Sequence, residues 1–164
     1  MKKLLILLLL PWILGCDSED LEETQNIDTV KKYIKAVEEM DYETMASLLD
    51  ERYQGLGPSI NDSINKPKAL ENWKNSASEL YEKIVYEKSR FIATKIEEGD
   101  NQGNWVANWA VVAIDYKNGS GSARLLANTV YQIDNGKIVK SYTFYNEADV
   151  LEQLGYVFIH PDDL

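Results

Sequence analysis

Leu125-Leu126-Ala127-Asn128-Thr129-Val130-Tyr131-Gln132-Ile133, then Asp134-Asn135-Gly136, then Lys137-Ile138-Val139-Lys140-Ser141-Tyr142-Thr143-Phe144-Tyr145 is the stretch that decides the fold. Both flanking runs are rich in β-branched and aromatic residues. The Asn-Gly step between them readily takes the positive φ angles of a close hairpin. After Tyr145 the period changes. Ala148, Val150, Leu151 and Leu154 fit one helical face, and Gly155 stands where a left-handed C-cap would end it.

Working back from the hairpin, Lys117 to Ser122 reads as a turn, and Asn104 to Tyr116 is apolar on both faces apart from Asn108. Apolarity on both faces places that run inside a sheet rather than at its edge. Glu97 to Asn101 breaks it from a looser strand, Ile84 to Ile96. Further upstream the period is helical. Pro67 suits the first turn of a helix reaching Tyr81, with Leu70, Trp73, Ala77 and Leu80 on one face. Asp41 offers an N-cap for Tyr42 to Leu49, which turns Met45, Leu48 and Leu49 inward. Ile27 to Met40 shows Val30, Tyr33, Ile34 and Val37 at helical spacing, with Asp28 to cap it. Between the second and third helices, Arg52 to Asn65 holds Gly55, Gly57, Pro58, Asn61 and Asp62, a composition that predicts a loop, either a lid or a plain connection. Helices first and strands after predict an α+β domain: a curved antiparallel sheet of about four strands or more against three N-terminal helices, with a short C-terminal helix.

The N-terminus is read apart. Lys2 and Lys3 precede an apolar run, Leu4 to Leu14, whose 11 residues are too few to span a bilayer as a helix. Ile13-Leu14-Gly15-Cys16 resembles the lipobox of bacterial lipoproteins, in which the bond before the cysteine is cut and the thiol is acylated. The resemblance implies a signal peptide over residues 1–15, a lipidated Cys16, an acidic flexible tether over 16–26 and one domain over 27–164. Asp17, Glu19, Asp20, Glu22 and Glu23 lie in that tether without a basic residue. Acidic residues directly after the cysteine resemble a surface-export signal, whereas Asp17 alone resembles an inner-membrane retention signal; the outer membrane or cell surface is favoured. Loss of Lys2 and Lys3 with the leader leaves 15 basic against 27 acidic residues, a net charge of −12. Such a chain is repelled by phosphate backbones, which argues against nucleic acid as a partner. Its membrane contact would run through lipid.

Val130 to Val139 and Asn146 to Gly155, with the helical start at Val30, Tyr33 and Val37, resemble nuclear-transport-factor-2-like (NTF2-like) domains, especially those similar to the polyketide cyclase SnoaL. The resemblance covers roughly Ile27 to Gly155. It implies a cone-shaped fold with a pocket between sheet and helices. It also implies an acidic residue just after the last strand, and the matching position, counted back from Gln153-Leu154-Gly155, is Asn146. An amide exchanges no proton near neutral pH. The family's histidine near the end of the central strand falls around Ile114 to Tyr116, where Asp115 is the one acidic residue: either a buried substitute or a turn-proximal surface carboxylate.

Other chemistry is thinly represented. With one histidine, His160 in the tail, and one cysteine, neither a His-rich zinc site nor a Ser-His-Asp or Cys-His arrangement can be assembled, and no phosphate-binding glycine loop is present. No metal and no cofactor is expected. The aromatics remain. In a two-residue hairpin register, Thr129, Tyr131 and Ile133 share a face with Ile138, Lys140, Tyr142, Phe144 and Asn146, and one extra turn residue would invert part of this. Tyr53, Trp73, Trp109, Tyr131, Tyr142 and Asn146 are therefore the candidate ligand-binding residues; a core or dimer-interface role for the aromatics is the competing reading. The expected function is a lipid-anchored domain holding a small hydrophobic ligand or a protein partner at the cell envelope without catalysis, with a homodimer through the sheet as a further expectation. The alternative is a SnoaL-like isomerase, cyclase or lyase acting on a small hydrophobic substrate, with Asp115 or a tyrosine as the acid–base group.

Overall fold

In the computed structural model, which describes residues 18–163, four helices lie against one six-stranded sheet. The leader and the lipidation site at Cys16 fall outside the described residues. Helix α1 (Ser18–Glu38) leads into α2 (Tyr42–Leu48) and two short strands, β1 (Leu49–Leu56) and β2 (Ser63–Asn65). Helix α3 (Lys66–Asn75) ends in a widened turn, Ser76–Leu80. Three long strands follow, β3 (Tyr81–Ile96), β4 (Gly103–Tyr116) and β5 (Gly121–Asp134), then β6 (Lys137–Phe144) and α4 (Glu147–Gln153). The order across the sheet is β2-β1-β6-β5-β4-β3. Neighbours are antiparallel except for β1 and β6, which run parallel.

The hairpin forms as its sequence predicts. Asp134 faces Lys137 across a two-residue turn, with Asn135 and Gly136 at φ 50° and 72°. The register then departs from expectation. Ile133 faces Ile138, but Gln132 faces Lys140, so Val139 is an unpaired extra residue. Beyond this bulge every β6 side chain is on the other face from the one predicted. Tyr131 now stands opposite Ser141 and Thr129 opposite Thr143, on the face that meets the helices. Tyr142 and Phe144 turn outward.

Two further segments differ. Residues 18–26, expected as a flexible tether, are the first turns of α1. Negative charge at a helix N-terminus is favourable, Asn26 is buried, and Asn104 Nδ2 donates to Glu22 Oε1 at 2.8 Å, tying the helix to the start of β4. The predicted loop Arg52–Asn65 instead supplies β1 and β2, because Gln54, Gly55 and Leu56 pair with both β2 and β6. The sheet, expected to hold about four strands or more, has six.

The core follows the predicted α1 face. Val30, Tyr33, Ile34 and Val37 are buried, together with Met45, Leu49, Val106 and Ile138. Asn108, the polar residue in the middle of β4, is 2% exposed and donates from Nδ2 to the Arg90 carbonyl at 3.2 Å. That carbonyl lies at a second bulge, where the β3–β4 register slips between Glu87 and Arg90 and Lys88 takes φ 53°. A buried amide therefore fills the hydrogen-bonding gap that the bulge leaves.

Candidate functional site: a phenol-lined cavity

Sheet and helices part at one end of the strands to leave an open cavity of about 840 Å³. Its wall takes Val112, Ile114 and Tyr116 from β4, Leu125, Ala127, Thr129 and Tyr131 from β5, and Ser141, Thr143 and Tyr145 from the β6 end. Of β4, the residues from Trp105 to Ala110 are not on the wall. From the helix layer come Tyr33, Ile34 and Val37 of α1, Ala69, Asn72 and Trp73 of α3, and Val150, Leu151 and Leu154 of α4. This volume is in the range of small-molecule sites.

Four tyrosines form the deep part. Burial, reinforced by neighbouring phenols, pushes Tyr33 and Tyr131 well above the ordinary phenol value, and the Trp73 indole pulls Tyr33 the other way. Tyr86 is raised by the same burial, with the phenol of Tyr81 and the carboxylate of Glu38 adding to it. Tyr53 is raised by burial against an opposing hydrogen bond with Ser141, whose Oγ lies 2.8 Å from its hydroxyl. The rings of Tyr33 and Tyr131 meet edge to face at 6.2 Å. Gly55 makes room for this arrangement: a Cβ there would stand 2.8 Å from the Tyr53 hydroxyl. At neutral pH all four phenols keep their protons. They can donate hydrogen bonds to a ligand oxygen but cannot serve as bases.

The mouth is different in charge. Glu147, the first residue of α4, is the one carboxylate on the described wall, and no Lys, Arg or His side chain is among the described wall residues. Tyr81, Tyr116 and Tyr145 stand near it: burial raises all three, and the negative charge of Glu147 adds to each. Tyr116 is pushed up to about 12. Helix α4 is fixed against the sheet by Gln153, whose Oε1 accepts the Arg124 N–H and whose Nε2 donates to the Arg124 carbonyl, both at 2.9 Å. Across the mouth, Lys117 Nζ donates to the carbonyls of Ala77 and Ser78 at 2.6 and 2.8 Å, holding the turn that ends α3.

The residues singled out from sequence divide into two groups. Tyr53, Trp73 and Tyr131 meet on the cavity wall. Trp109 and Tyr142 lie on the opposite face of the sheet, where Tyr142 stacks on Trp105 with centroids 6.1 Å apart. Asn146 is exposed and off the wall. Its Oδ1 accepts the Asp149 N–H at 3.3 Å as the N-cap of α4, a role common for Asn at that position. The carboxylate that borders the cavity is that of the next residue, Glu147. The signal was present: Asn146 followed three residues later by Asp149 is an N-cap pattern. Asp115 is exposed on the outer face, accepting a hydrogen bond from Ser122 Oγ at 2.7 Å and bordering only a shallow surface hollow. Of the two readings of Asp115, the geometry is that of the turn-proximal surface carboxylate.

Comparison with known proteins gives the fold. No protein-family model matches the chain, and no curated protein matches it. Solved structures do. A protein assigned as a polyketide cyclase from Xanthomonas campestris pv. campestris superposes with a TM-score of 0.66 at 14% identity, covering 80% of this chain and 98% of that one. An NTF2-like protein from Burkholderia xenovorans LB400 gives 0.63 at 17% identity, covering 80% and 97%. An LEH-like epoxide hydrolase of M. tuberculosis gives 0.58 at 14%, covering 81% and 91%. The fold is thus the NTF2-like cone, α+β, with its curved sheet and flanking helices.

Proposed function

We propose that the protein takes a small, uncharged, hydrophobic molecule into this cavity and carries out acid–base chemistry on it, with Glu147 as the proton-exchanging group. The observation that carries this reading is the wall itself: apolar and phenolic in its depth, with a single carboxylate at its mouth. A carboxylate beside neutral hydrogen-bond donors is the arrangement required to move a proton next to a carbonyl while the developing oxygen charge is held by the phenols. An anionic substrate would find no cation on the described wall. Likeness to proteins named as a cyclase and an epoxide hydrolase supports turnover over simple holding; a fold of this kind does not by itself carry an activity.

The test is exchange of the α-protons of a neutral bicyclic ketone, 2-tetralone, in deuterated water, followed by NMR. Glu147→Gln is expected to slow protein-dependent exchange by about 100-fold or more, and Tyr53→Phe by less. Binding of tetralone with no protein-dependent exchange would leave the second reading, a non-catalytic binding domain. One observation favours that second reading: Glu147 is exposed, and no side-chain hydrogen bond orients its carboxylate among the described residues.

We further propose that the domain is held at the cell envelope by acylation of Cys16, at the outer membrane or cell surface. Cys16→Ser abolishing lipid labelling is the expected result, and continued labelling would sink the anchor. A second copy of the chain is proposed to cover the outer sheet face, where Ile92, Trp109, Leu126 and Phe144 stand 57, 44, 78 and 56% exposed.

A further inference from the structure

Beyond α4 the chain carries Tyr156-Val157-Phe158-Ile159, four consecutive large apolar residues that are 62, 79, 62 and 54% exposed. A run of this kind left in water marks a surface that is covered in some state of the protein. Its position says by what. Gly155 turns the chain at φ 88°, the Tyr156 N–H donates to the Leu151 carbonyl at 3.0 Å, and both Gly155 and Tyr156 belong to the cavity wall. The apolar segment is therefore rooted at the mouth of an open, largely apolar cavity. Two more exposed apolar side chains belong to the cavity's surroundings, Leu80 of the wall at 52% and Ile60 at 96%, the latter in the loop whose Gly57 and Pro58 line the cavity. The root is fixed and the free part is short. Val157 to His160 spans about 13 Å when extended, and Pro161, Asp162 and Asp163, which follow, are exposed.

We propose that Tyr156–Ile159 is the lid of the cavity, folding over the mouth onto Leu80 and Ile60 once an apolar ligand fills the space beneath. An empty cavity gives the lid little to pack on. A filled one offers a continuous apolar surface, so closure follows binding and lengthens residence. This inference rests on the proposed binding of a neutral hydrophobic molecule.

The experiment uses the solvatochromic ketone Prodan as the probe, with stopped-flow release measured for the full chain, for Phe158→Asp and for a chain ending at Gly155. Both variants are expected to release Prodan at least tenfold faster, with a smaller change in association rate. Hydrogen exchange at residues 157–159 should slow when Prodan is bound. Phe158→Asp preserves the root at Tyr156, so it separates loss of the lid from loss of a wall residue. Equal release rates with unchanged exchange would overturn the lid and leave the binding reading standing. Protection of 157–159 that grows with protein concentration rather than with Prodan would assign the segment to a second copy and also overturn the lid. Failure of Prodan to enter any of the three chains would remove the binding reading and the lid together.

Discussion

The two ends of the same sheet are built on opposite principles. At the end where the β3–β4 and β5–β6 turns lie, the inner face is filled by aliphatic side chains: Val106, Ile133 and Ile138 close on Val30 of α1, and Leu49 joins them from β1. At the other end the inner-face positions Val112, Ile114 and Leu125 face the cavity, and Tyr131, paired with Val106, stands at the border between the two. The strands are continuous through both ends, so the difference lies in the helix layer. Helix α1 stops at Glu38, where its carboxylate accepts the Tyr86 N–H at 2.6 Å, and Met40 turns the chain away at φ 55°. From there α3 and α4, 10 and 7 residues long, cover the sheet only in part. One end is a core, and the other is a container in which the Tyr53 phenol pairs with Ser141 Oγ and space is left between the rings.

The largest effect that separates the ends is on stability. Leu49→Ala removes a fully buried side chain from the filled end and should cost about 2–5 kcal/mol by urea unfolding. Leu151→Ala, on the cavity wall and half-buried, should cost about 1 kcal/mol or less, since most of the space it borders is already empty. Equal costs would mean that the two ends pack alike.

Next in size is the response to alkali. An unfolded phenol titrates near about 10, whereas burial holds Tyr33, Tyr53, Tyr86 and Tyr131 above that value. Their contribution is complete below about pH 10. Above it the unfolded chain sheds protons that the folded chain retains, so stability falls as pH climbs toward the folded values. All four line the cavity. Melting temperatures measured from pH 8 to 12 should drop steeply above about pH 10, and Tyr86→Phe should flatten the drop. An unchanged slope in that variant would place the titrating groups elsewhere.

Gly55→Ala is expected to act more locally. Its Cβ would meet the Tyr53 hydroxyl at 2.8 Å and displace it from Ser141 Oγ. Loss of that hydrogen bond should cost about 1 kcal/mol and weaken Prodan binding, with the filled end unaffected by hydrogen exchange. Smallest in stability is the outer face. Leu126→Glu should leave monomer stability within about 0.5 kcal/mol while shifting the proposed dimer to monomer by sedimentation. A dimer that persists would exclude this face as the interface.

How much of this was legible in the sequence follows the same division. The α1 stripe at Val30, Tyr33, Ile34 and Val37 and the Asn135-Gly136 turn both register in local periodicity, and both stand as read. What failed depended on neighbours in space. Val139 is extra only because Gln132 pairs with Lys140, and nothing in its own identity marks a bulge. That one residue sends Tyr142 outward and brings Ser141 and Thr143 to the wall. The glycines of 55 and 57 suggested a loop, whereas Gly55 is a strand residue chosen for its closeness to Tyr53. The acidic start of α1 suggested self-repulsion, yet Glu22 is held by Asn104 from a strand 82 positions away. At the site, the aromatic residue types and the side of Tyr131 were legible, the sides of Trp109 and Tyr142 were not, and it is Glu147, next to Asn146, that borders the cavity.

The measurement that bears most directly on the container end is a Prodan titration of three chains: the wild type, Ala127→Trp, which places an indole inside the cavity, and Trp109→Phe, which alters only the outer face. Saturable one-to-one binding with blue-shifted emission, kept in Trp109→Phe and lost in Ala127→Trp while the fold persists, is the expected result. Binding that survives Ala127→Trp, or that disappears in Trp109→Phe, would contradict a ligand site between sheet and helices.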